Sequence, residues 1–520
     1  MSRLFFLLFF LTWSVSYSQE FRHILSRNFH LIESEDHHKL NHNSHTSFLP
    51  LLEKDYTKDT SYGSWFYRKL TKEYFLQIDR NDYALIVNPV INLEIGKERD
   101  NNNLIWTNTR GIIADGRLGS RFKFYSSFLE NQSVFPRYIT NSIVEKSAWV
   151  IPGQGESRWS ADSVFDYSIA SGHFNYRFSK FSMFEFGTGK HFIGDGYRSL
   201  ILSDVAFNYP YLRVQTNAGI FQYTNLYMEH MNLLSNPSQS YTYDKKYMSL
   251  HHLSANITDR LNIGIFESVV WENSRTPEFS GFDISYLNPI IFLRPVEYSL
   301  NSSDNVLIGM NLKFKINNSS HIYGQFVLDE YSFPDLQNGD GWWGNKYAYQ
   351  FGCKWYHAFR IQNLIFQFEN NVATPYTYSH SNVNQSYSHY FQSLAHPLGS
   401  NFNETLFLID YKFHQFKAHF QFTNIKFGDK IPNDPHNYGN DIFVSSDERP
   451  SDYGVEMYQG NYSLLDYIKT HISYTINPKT NLILQTGIVY RLLENDSGSE
   501  ETSFIFFGVK SDLFNRYYDY

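Results

Sequence analysis

The sequence predicts an all-β chain: a transmembrane, antiparallel outer-membrane β-barrel of about 14–18 strands behind a short periplasmic N-terminal segment. Three observations carry that prediction. The N-terminus reads as an export signal, the composition is rich in rings without a long apolar run, and the body alternates in polarity every second residue. Tight turns and long polar loops then succeed one another along the chain.

Arg3 supplies a positive start, Leu4–Leu11 an apolar core too short to span a bilayer, and Ser16-Tyr17-Ser18 small residues at a cleavage position. Residues 1–18 are therefore expected to be a signal peptide, with the mature chain in the outer membrane. Cys353 is the one cysteine, so no intramolecular disulfide framework is available. Aromatic residues make up 18% of the chain, which favours strands. After the signal no apolar run approaches the ~18 residues of a membrane helix. A net charge of −8 speaks against a nucleic-acid partner, whose phosphates require a basic surface.

Residues 19–73 read as a periplasmic lead-in. It carries His23, His30, His37, His38, His42 and His45, but not at the spacing of an ordered metal site, so no metal or other cofactor is expected. The barrel is assigned to residues 74–520. Leu312, Phe314 and Ile316 alternate with Asn311, Lys313 and Lys315 before the turn Asn317–Ser320. Phe416, Ala418, Phe420 and Phe422 alternate with Lys417, His419, Gln421 and Thr423. Such strands present rings to lipid and polar groups to a lumen. Long polar stretches at 271–283, 332–345, 375–403 and 429–460 fit loops on one rim and tight turns on the other. The final run from Leu513 to Tyr520 fits an aromatic-terminated closing strand.

The densest segment is Gly187-Thr188-Gly189-Lys190 through Arg198. It is not a phosphate loop, because His191 follows Lys190 and Gly194 interrupts any helix. Gly187, Gly189, Gly194 and Gly196 read as structural glycines of a chain folding tightly inside a lumen. Lys190, Asp195 and Arg198 can satisfy one another as a buried network. Alternatively Lys190, Tyr197 and Arg198 face an acidic sugar, guanidinium to carboxylate and ring to sugar face. Trp342-Trp343, between Gly341 and Gly344, can stack on sugars or anchor a loop at the lipid headgroups. No nucleophile elbow or zinc-protease helix is present, and sequence cannot pair Asp195, Glu297 or Glu404 as acid and base, so no enzyme is expected.

The run Gly187–Tyr227, with Lys190–Leu200 and Asn208-Tyr209-Pro210-Tyr211-Leu212, resembles the RemB gliding-motility family of Bacteroidetes-type bacteria. Asn108–Gly111, Gly116–Gly119, Ser127–Gln132, Tyr286–Glu297 and His396–Glu404 match in the same order. That family is in turn similar to the Wzi-type capsule-assembly barrels. The resemblance implies a non-enzymatic barrel serving gliding motility or surface polysaccharide. Its implied partners are outer-membrane lipid, an extracellular polysaccharide and components of the gliding or secretion machinery. A porin-like channel is the alternative function, and a soluble glycan-binding or glycan-cleaving β-protein a third.

Overall fold

The computed structural model describes residues 26–27, 31, 35–50, 62–99, 104–145, 149–159, 164–233, 243–273, 283–290 and 304–520. The expected signal peptide, Glu297 and most of the 271–283 stretch lie outside these. Among the described residues, eighteen long strands pair antiparallel and close into one barrel. They are β1 Tyr83–Glu98, β2 Leu104–Leu118, β3 Phe122–Val134, β4 Phe165–Arg177, β5 Ser182–Gly189 and β6 Tyr209–Ala218. Next come β7 Phe221–Asn232, β8 Asp244–Asn256, β9 Leu261–Glu272, β10 Asn305–Lys315, β11 Ser320–Glu330 and β12 Lys346–Tyr356. The last six are β13 Leu364–Ala373, β14 Phe402–Phe413, β15 Phe416–Asp429, β16 Asn461–Asn477, β17 Leu482–Asn495 and β18 Gly498–Ser511. Each pairs with the next, and β18 closes on β1 in a register running from Phe504 opposite Glu98 to Lys510 opposite Asn92.

The two-residue period of the sequence is the cause of this wall. On β10, Met310, Leu312 and Phe314 face outward and are exposed, while Asn311, Lys313 and Lys315 face the lumen and are buried. On β18, Ile505 is 59% exposed and its neighbour Phe506 only 5%, so a one-residue register slip would turn the apolar face inward. The outer surface is ring-rich and aliphatic, as lipid requires, and in the closed ring each of the eighteen described strands has a neighbour on both sides. Ile488, at the middle of β17 and 55% exposed, belongs to this belt. Ile488→Arg is expected to cost about 2–4 kcal/mol in lipid, read as a lower urea midpoint of the folded gel band. An unchanged midpoint would mean that this face is not in contact with acyl chains.

One rim carries the tight connections, including 119–121, 219–220, 316–319, 414–415 and 478–481; it is called the turn rim. Gly119 and Gly219 adopt φ of +61° and +60° there, a conformation that favours glycine. The other, the loop rim, carries 135–145 with 149–159, 190–208, 331–345, 374–401 and 430–460. Helix α2, Arg137–Glu145, sits on the first of these loops, whereas α1, Trp65–Thr71, precedes β1 at the turn rim.

The lumen is largely filled. Its loop-side half holds an apolar core in which Leu200, Ile201 and Leu202 pack on inward residues of the wall such as Leu226, Leu250, Phe266 and Phe402. Its turn-side half is polar, with Lys313, Lys315, His321, Lys354 and His419 facing inward. Part of the lead-in segment lies inside as well: Phe48 and Leu49 pair as a two-residue ribbon with Ile193 and Phe192. Lys315 Nζ donates to the carbonyls of Lys39 and His42 at 2.8 and 2.7 Å.

The C-terminal expectation needs correction. β18 ends at Ser511, and residues 512–520 are not a closing strand but turn into the lumen. Asn515 donates to Asp204 at 2.8 Å and Tyr517 to Asp204 at 3.0 Å, while Asp519 ion-pairs with Arg198 at 3.0 Å. Polar partners of this kind exist in the lumen and not on a lipid-facing wall.

Candidate functional site

The loop between β5 and β6 descends into the barrel and positions the residues singled out from sequence. Ser199 holds its shape: its hydroxyl donates to Ile193 O at 2.5 Å and accepts from the amides of Ile201 and Leu202. Gln325 on β11 receives the Leu200 amide at 2.7 Å and donates to Ile193 O at 2.8 Å. Gly196 is favoured by close contact, since a Cβ there would sit 2.9 Å from the backbone oxygen of Arg198 and 2.4 Å from Glu369 Oε2. Gly194 is forced by its φ of +151° and by Gln325 against its open face.

Arg198 is 1% exposed and lies at the centre of the network. Its Nη2 ion-pairs with Glu404 Oε1 at 2.8 Å and with Asp519 Oδ1 at 3.0 Å, and Nε donates to Glu404 at 3.1 Å. Burial works against its charge, yet the carboxylates of Asp519 and Glu404 outweigh that cost and hold the guanidinium well above its ordinary pKa. Glu404 also accepts from His396 Nε2 at 2.8 Å and from Asn371 at 3.0 Å. The amides of Tyr197 and Arg198 both donate to Glu369, at 2.7 and 3.0 Å, and the Tyr197 hydroxyl donates to Asp519 at 2.8 Å. One cation thus ties the descending loop, the wall strand β14 and the C-terminal tail together.

The expected triad of Lys190, Asp195 and Arg198 does not form. Asp195 pairs with Lys313 at 3.2 Å and accepts from Thr46 at 2.5 Å, so it holds the lead-in segment rather than Arg198. Lys190 donates to the carbonyls of Gly153 and Asp204 at 2.6 and 3.0 Å. Burial pushes its ammonium down to about 8, with Arg516 acting in the same direction and the Asp204 carboxylate offsetting only part of the shift. Side chains along one strand or loop point in different directions, which is why residues close in sequence found separate partners across the lumen. Asp195 and Glu404, weighed from sequence as an acid–base pair, are each engaged with a cation.

Trp342 and Trp343 sit apart from this network, in the loop-rim cluster. Loops 331–345 and 430–460 are stitched by Trp343 N to Asp452 O at 3.0 Å, Gly454 N to Asp340 O at 2.9 Å and Val455 N to Gly341 O at 3.0 Å. The Arg449 guanidinium lies 4.0 Å over the Trp343 ring, with Tyr376 edge-on at 6.1 Å. Trp343 therefore packs between the two loops. Trp342 is half-buried beside it, and Tyr453 nearby is 52% exposed.

Glu369, Asp519 and His396 were missed from sequence. Glu369 had a usable signal, since Gln367, Glu369 and Asn371 alternate with Phe366 and Phe368 along β13. A cavity of about 210 Å³ remains in the lumen along β1 and β16–β18, reaching from Tyr138 near the loop rim to Lys510 near the turn rim.

No protein-family model and no curated protein matches this sequence. Among solved structures the chain is similar to Wzi of Escherichia coli, an outer-membrane protein described as a carbohydrate-binding β-barrel involved in group 1 capsule assembly. The identity is 14%, over 84% of this chain and 85% of that one, with a TM-score of 0.52. It is also similar to OprD of Pseudomonas aeruginosa at 10% identity, over 85% and 97% of the two chains, with a TM-score of 0.42. OccAB2 of Acinetobacter baumannii matches at 11% identity over 82% and 98%, also with a TM-score of 0.42. The Wzi likeness shows a shared barrel fold.

Proposed function

We propose that this chain is an exported, non-enzymatic outer-membrane barrel that binds or helps to assemble polysaccharide at the cell surface, and through it supports gliding motility. The turn rim faces the periplasm and the loop rim the outside, following the loop asymmetry of outer-membrane barrels. The observation that carries the reading is the filled lumen. A barrel whose interior is occupied by its own loop, lead-in and tail, with Arg198 locking them, presents a rim for binding rather than a passage. The resemblance of Lys190–Leu200 and its companion stretches to RemB points the same way, as does the fold shared with a carbohydrate-binding barrel. In this reading Lys190, Asp195, Tyr197 and Arg198 hold the plug that shapes the rim. Trp342 offers a ring to a sugar face, and Trp343 with Arg449 sets its orientation.

The purified barrel in detergent, titrated with the surface polysaccharide of its own cells, tests this. Saturable binding is expected, weakened about fivefold by Trp342→Ala, the ~1 kcal/mol of one aromatic contact. Absence of binding by the unaltered protein would refute the reading. A substrate-specific pore is the second reading, and the cavity along β1 and β16–β18 is the observation that favours it.

A further inference from the structure

We infer that α1 and the short strand after it, Leu76–Asp79, form a lipid-facing anchor seated in the turn-rim leaflet of the membrane, not a segment free in the aqueous phase. Helix α1 buries none of its residues. Trp65 is 56% exposed, Phe66 69% and Leu70 41%, an apolar display that water alone does not reward in so short a helix. Phe75, 51% exposed, meets Trp65 edge-on at 6.3 Å.

The polar edge of the helix fixes it to the wall. Asn477, at the end of β16, donates to the carbonyls of Lys69 and Glu73 at 3.1 and 3.0 Å. Lys69 and Arg68 both pair with Glu73, at 2.9 and 3.2 Å. The strand Leu76–Asp79 then pairs with β1, Leu76 opposite Val87 and Ile78 opposite Leu85. It occupies the wall position next to β1 that β18 leaves when it ends at Ser511. Leu76 and Ile78 therefore point outward with the belt, while Tyr74, just before them, packs on Ala84 and Ile86 and holds α1 at the same rim.

The turn rim elsewhere carries exposed rings at Tyr83, Phe181, Phe221, Phe413 and Phe416, the girdle expected at a bilayer interface. The turn 478–481, Pro-Lys-Thr-Asn, carries none. The rings of α1 lie beside that turn and complete the girdle there. Lys72 is exposed at the end of α1, with its ammonium 5.4 Å from the centre of the Tyr67 ring. An interfacial helix has this composition, rings and Leu together with cations.

The test uses the full-length barrel in liposomes, with Cys353→Ser and single nitroxide-labelled cysteines at Phe66→Cys and Leu70→Cys. References are Ile488→Cys on the belt and Lys479→Cys on the neighbouring turn. Labels at 66 and 70 are expected to collide with oxygen in preference to a water-soluble nickel complex, as at 488, with a ratio several-fold above that at 479. A ratio matching 479 would place α1 in water, and low collision with both reagents would place it under protein; either result overturns the inference. Should a cysteine disturb folding, the difference in emission between the unaltered protein and Trp65→Phe reads the same contact. That emission falls in bromolipid if α1 is in the leaflet, and unchanged emission overturns the inference.

Discussion

Replacing Arg198 with methionine is expected to destabilise the folded barrel by about 3–5 kcal/mol, because Glu404 and Asp519 then remain buried without their cation. Both carboxylates are almost fully buried, Glu404 at 0% and Asp519 at 3% exposure, so water cannot replace the guanidinium. The loss is read as a fall in the temperature at which the compact gel band gives way to the unfolded one. Neutralising the partners in the same chain, with Glu404→Gln and Asp519→Asn, should recover most of it. The amides keep the shape and some hydrogen bonds but need no counter-charge. Arg198→Met with the stability of the unaltered protein would mean that the guanidinium is solvated and available to a ligand.

A larger functional effect is expected from removing the plug. Replacing residues 192–206 with a short Gly-Ser linker deletes Leu200, Ile201 and Leu202 from the lumenal core and Arg198 from the lock, yet leaves every wall strand intact. A barrel of eighteen strands has room for an aqueous channel unless something fills it. The shortened chain should therefore give discrete conductance steps in planar bilayers while keeping the heat-modifiable mobility of a closed barrel. A folded but silent variant would assign the seal to the lead-in segment and tail alone.

The wall was legible in the sequence because its physics is local. Lys313 and Lys315 alternate with Leu312 and Phe314, and a strand between lipid and lumen has to read that way. The loop asymmetry followed equally from chain order. Partnership across the lumen was not legible. Arg198 and Glu404 are 206 positions apart, and only closure of the ring brings β14 beneath the descending loop. Asp195, three residues from Arg198, was the natural candidate by proximity, but it points towards Lys313 on the far wall.

The tail failed for a different reason. Leu513-Phe514-Asn515-Arg516-Tyr517-Tyr518-Asp519-Tyr520 is aromatic but does not alternate, and polarity at every second position is the mark of a wall strand. That missing period was a usable sign that the segment leaves the sheet. Trp342-Trp343 showed the limit of motif reading, since whether a ring meets lipid, sugar or another loop depends on Arg449 and Tyr376, more than thirty positions on.

Single-channel recording of the unaltered protein in a planar lipid bilayer bears most directly on a plugged, binding barrel. The filled lumen predicts insertion without steps of current at either polarity. Steady ohmic conductance accompanying each insertion would contradict it and make the cavity along β1 and β16–β18 the working part of the molecule.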